Sequence, residues 1–75
     1  MTLDQARNHS FLRILLISDD WAIRRSLNQL GLYAGERVHV VRRAPFGGPL
    51  VIENRNSRVA ISRQLAERIR VEVIP

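Results

Sequence analysis

The stretch "RRAPFGGPLVI", Arg42 to Ile52, sets two arginines against a glycine-rich loop, the residue types that could cradle a phosphate. The loop lacks the Gly-Lys-Ser/Thr ending of a nucleotide-binding loop, and no helical pattern follows it. Pro45 and Pro49 also remove two backbone N–H donors from any such cradle. Two glycines framed by prolines predict a turn instead, with Gly47 and Gly48 as its permissive residues and Arg42 and Arg43 at a rim beside it.

Other reactive side chains do not assemble into a site. His9 and His39 stand 30 positions apart, cysteine is absent, and neither Asp4 nor Glu36 completes a recognised ligand spacing. No metal and no cofactor are expected. His39 reads as an outward or rim residue of a strand, and His9 as part of a polar stretch without a specific role. Ser10 adjoins His9 but has no strained elbow or orienting acid around it, and a helix cap accounts for Asp19 and Asp20. The chain is therefore read as a non-enzyme. Stacking on single-stranded nucleic acid needs clustered aromatics, whereas Phe11, Trp21, Tyr33 and Phe46 are scattered and read as core or rim residues.

The elements that hold these residues must share one small core, because 75 residues make a single domain, residues 1–75, near the lower limit for folding without staples. Absence of cysteine suits a reducing cytoplasm. The apolar run Phe11–Ile17, interrupted by Arg13, is far short of the roughly 20 residues of a membrane span. Nor does the opening, with Asp4 and no small-residue cleavage site, read as a signal peptide. Net charge is +5, and all 12 basic residues are arginine, which keeps a nucleic-acid partner in view as the rival to a protein partner.

Phe11–Ile17 is expected to be a strand largely buried on both faces. Asp19 and Asp20 offer an N-cap to "WAIRRSLNQLG", where Ile23, Leu27 and Leu30 fall at i, i+4 and i+7 and Gly31 supplies a left-handed stop. Arg24, Arg25, Asn28 and Gln29 form its outer face. "GERVHVV", "LVIEN" and "RVAI" predict an antiparallel meander, with a tight turn at Asn54–Ser57. Ser62 caps a short helical turn, and "RIRVEVI" predicts a last strand with Ile69, Val71 and Val73 on its apolar face. Five strands, one medium helix and one helical turn predict a mainly β fold, a small closed or nearly closed barrel.

"LNQLGLYAGERVHVVRRAPFGGPLVIENRNSRVAISRQLAERIRVE" resembles the FeoA family. The resemblance is carried by four motifs in order. They are the turn of Leu30, Gly31, Leu32 and Gly35; the strand positions Val38 and Val40; the loop Arg43, Ala44, Pro45, Phe46, Gly47 and Pro49; and the closing Val59, Ala60, Ile61, Ala66, Ile69 and Val71. It covers the last two thirds strongly and the first third in pattern only. Two departures stand out: "ARNHSF" replaces a Pro-Gly turn, and Gly48 replaces an Asp, removing a charge and adding flexibility. The resemblance implies an SH3-like barrel acting in ferrous-iron uptake as a cytoplasmic adaptor of FeoB, a membrane permease with a G-domain, without inserting in the membrane itself. Leu32, Tyr33, Arg42, Arg43 and Phe46 are the expected partner-binding residues, and Gly31, Gly35, Gly47 and Gly48 the structural turns. The alternatives are a small basic nucleic-acid-binding barrel and, with least support, an iron-binding protein.

Overall fold

The structure, a computed structural model, describes residues 1–55 and 57–75. Among the described residues the chain forms strands β1 (Phe11–Ile17), β2 (Arg37–Arg43), β3 (Leu50–Asn54), β4 (Ser57–Ile61) and β5 (Ile69–Val73). Helix α1 (Trp21–Gln29) joins β1 to β2, α2 (Arg63–Ala66) joins β4 to β5, and a 3₁₀ turn at Leu3–Gln5 precedes β1. The strands form one antiparallel sheet in the order β4-β3-β2-β1-β5. The sheet curls around an aliphatic core that includes Leu12, Ile14, Leu27, Leu32, Val40, Ile52 and Ile69. In the chain α2 connects the two end strands, and it meets the 3₁₀ turn.

Alternation in β2, β3 and β5 survives folding: Val38 and Val40, Leu50 and Ile52, and Ile69 and Val71 all point inward. Val73, expected on that face, is exposed at the strand end. Strand β1 is not buried on both faces. Its register against β5 shifts between Ile14 and Leu16, so Leu12, Ile14 and Ile17 face the core while Leu15 and Leu16 face solvent. A bulge of this kind admits one extra residue and breaks the period of two. The expected turn at Asn54–Ser57 appears as a closing pair between those residues, with Arg55 at φ 56°; its other central residue, Asn56, lies outside the described residues.

Helix α1 begins at Asp20, whose carboxylate accepts from the N–H groups of Ala22 and Ile23, satisfying two donors that the helix cannot pair internally. It ends in a Schellman arrangement: Gly31 (φ 85°) donates to Asn28, and Leu32 donates back to Leu27. That reversal carries Leu32, not Leu30, into the core beside Leu27, so Leu30 remains exposed. Asn54, buried at the end of β3, fastens the corner by donating from Nδ2 to the Gly31 carbonyl at 2.6 Å. At the second helix Ser62 caps as expected, its hydroxyl accepting from the Leu65 N–H.

Candidate partner-binding surface

The loop after β2 is a nested hairpin. Beyond the last strand pair, Arg43 with Leu50, the Ala44 N–H reaches the Pro49 carbonyl at 3.0 Å and the Gly48 N–H reaches Pro45 at 3.1 Å. This leaves a two-residue tip, Phe46 and Gly47, with φ of 59° and 73°. Positive φ at both central residues defines the turn that matches the twist of antiparallel strands. The permissive pair is thus Phe46 and Gly47, and the role of Gly48 is space: a Cβ there would stand 2.8 Å from the Ala44 Cβ. Gly48 therefore tightens the hairpin rather than loosening it. Gly35 (φ 91°) makes the other open turn, at the entry to β2.

Phe46 is fully exposed at this tip. Arg42 is exposed just below it, and among the described residues neither Arg42 nor Arg43 forms an ion pair. Arg43 is part-buried and donates to the carbonyl of Ala6, tying the amino-terminal segment onto β2. Its charge is engaged in holding the fold, which corrects its expected place among the freely exposed contact residues. Leu32 is corrected too: it is completely buried and presents nothing to a partner. Tyr33 is exposed but precedes β2, whereas Phe46 follows it, and seven extended residues put the two ends ~20 Å apart. Of the five residues expected to bind together, Phe46 and Arg42 are exposed on the same hairpin, Phe46 at its tip and Arg42 within β2 opposite Val51.

Tyr33 instead joins Trp21, Arg24, Arg25, Asn28 and Gln29 around a groove of about 320 Å³ along α1. Phe11, Trp21 and Tyr33 are 49–63% exposed, so with Phe46 every aromatic side chain of the protein faces solvent. Of the core or rim positions expected for them, none of the four is in the core. Sequence separation also hid a neighbourhood: His9 and His39 have ring centroids 6.4 Å apart, and Phe11 stacks on His39 at 4.3 Å, nearly parallel. Among the described residues no group of three or more His, Cys, Asp or Glu side chains is arranged to hold a metal ion. The melting temperature should accordingly be the same with a strong chelator or with added ferrous iron. A displacement of several degrees in either scan would reveal a site that this donor set does not suggest.

The fold is a small SH3-like barrel. The chain belongs to the FeoA family: the family model for the FeoA domain matches residues 1–73. This family comprises accessory proteins, not enzymes. The chain is similar to Stenotrophomonas maltophilia FeoA, a zinc-complexed protein described as a procaryotic SH3 domain, at 30% identity over 96% of this chain and 89% of that one, TM-score 0.81. It is also similar to the FeoA protein of Chlorobium tepidum, at 28% identity over 100% of this chain and 71% of that one, TM-score 0.89. An iron uptake regulatory protein, also FeoA, is 26% identical over 99% of this chain and 97% of its own, TM-score 0.91. A search of the curated proteins returns no match. No helix among the described residues is long and apolar enough to cross a membrane.

Proposed function

We propose that this protein is a cytoplasmic accessory module of ferrous-iron uptake that docks on a FeoB-type transporter, at its G-domain or membrane region, through the β2–β3 hairpin tip. Membership of the FeoA family supports the iron system as the setting. The observation that carries the docking site is Phe46, held fully exposed with φ 59°. A left-handed backbone costs a side-chain-bearing residue roughly 1–2 kcal/mol, and an exposed ring recovers none of it by packing. An apolar pocket on a partner recovers it, because aromatic anchors dominate interface energies. Arg42, exposed beside the tip, supplies attraction to an acidic surface.

Titration against the transporter's cytosolic domain at low and high salt tests this reading. Arg42→Ala should slow association and flatten the salt dependence while leaving dissociation little changed, as rim charges do. Arg43 is left intact in that comparison because its removal would also release Ala6. Tight binding to mixed DNA or RNA fragments with a steep salt slope, and none to the transporter domain, would reverse the conclusion.

A further inference from the structure

We propose that the groove along α1 is a second docking surface, which takes an acidic peptide segment of a partner protein and seats one of its apolar side chains between Trp21 and Tyr33. It stands apart from the hairpin tip, at the other end of β2, and does not rest on the transporter reading. Ile23 and Leu27 turn the helix's inner face to the core, which leaves Trp21, Arg24, Arg25 and Asn28 on the opposite face at i, i+3, i+4 and i+7. Trp21 is the only tryptophan, and nearly two thirds of it is open to solvent.

Charge complementarity identifies the occupant. Arg24 and Arg25 both line the groove, no carboxylate does, and among the described residues neither arginine has an ion-pair partner. The Arg25 guanidinium carbon stands 5.2 Å from the centroid of the Trp21 ring, so a cation is already placed beside the apolar floor. Asn28 and Gln29 add amide donors and acceptors of the kind that pair with a peptide backbone. A nucleic-acid strand fits less well. The nine-residue helix is ~13 Å long and offers two cations, a short basic track for a phosphate chain.

Trp21 is its own reporter. The probe is a short tryptophan-free peptide of Asp, Glu, Leu and Gly, titrated into the whole protein while tryptophan emission is followed. Emission should shift to the blue and saturate, and high salt should weaken binding several-fold. Arg24→Glu with Arg25→Glu should weaken it about tenfold or more through like-charge repulsion. Both positions are exposed, and an unchanged circular dichroism spectrum would confirm that the double variant folds. Tyr33→Ala should weaken binding with the salt dependence retained. An equal response to a Lys-rich peptide, full binding by the charge-reversed variant, tighter saturation by oligothymidylate, or no emission change with the acidic peptide would each overturn the proposal. Loss of transporter binding in Arg42 or Phe46 variants would leave this titration unaffected, so the two readings fail separately.

Discussion

Leu32→Ala should lower the free energy of unfolding by about 3 kcal/mol, within the range found when a buried leucine is truncated and its cavity stays partly open. Leu32 has no room to be replaced by solvent: it is completely buried, packs in the core cluster with Leu27, and its N–H closes the end of α1. In a domain of this size each kcal/mol moves the melting temperature by ~4–8 °C, so the transition should fall by more than about 10 °C. Denaturant titration should give the same loss with an unchanged slope. Were Leu32 a surface anchor for a partner, the variant would melt within about a degree of the parent, and that outcome would overturn its placement in the core.

Phe46→Gly should separate stability from binding. Glycine takes φ 59° without the clash that phenylalanine suffers, and the lost ring makes no burial contribution because it is fully exposed. Glycine's greater freedom in the unfolded chain offsets part of that relief, which leaves a net stabilisation of about 0.5–1 kcal/mol. Transporter binding should fall by about 30-fold or more, the equivalent of ~2 kcal/mol for a lost aromatic anchor. A variant that melts higher and binds undiminished would remove Phe46 from the interface. A lower melting temperature would show instead that the ring packs against the barrel.

Elements governed by neighbours in sequence were legible. Asp20 and Ser62 are short polar residues ahead of helical patterns, and both cap as their chemistry requires. Gly31 follows the last turn of α1 and takes the left-handed conformation. Val38 and Val40 in β2, Leu50 and Ile52 in β3, and Ile69 and Val71 in β5 point inward because the pleat's period of two puts each pair on one face. What stayed hidden depends on partners far along the chain. The bulge in β1 is set by its pairing with β5, more than fifty residues away, and only that pairing turns Leu16 outward. Arg43 reads as half of a free pair in sequence because the carbonyl it binds, that of Ala6, lies 37 positions earlier. At the hairpin, two adjacent glycines suggested that both were there for their dihedral freedom. The hydrogen bond from Gly48 to Pro45 moves the tip back by one residue and hands the strained position to Phe46.

The sheet's two borders are unequal. Thr2 bridges to Arg70 and the Met1 carbonyl accepts from the Val71 N–H, so the outer side of β5 is occupied by the chain's own beginning. No described segment covers the outer side of β4 in the same way. Growth of a fibre by strand addition needs two unlike free borders, one to accept each newcomer and one to receive the next. Met1 and Thr2 fill the ladder positions opposite Arg70 and Val71, and so deny an incoming strand that part of the β5 border.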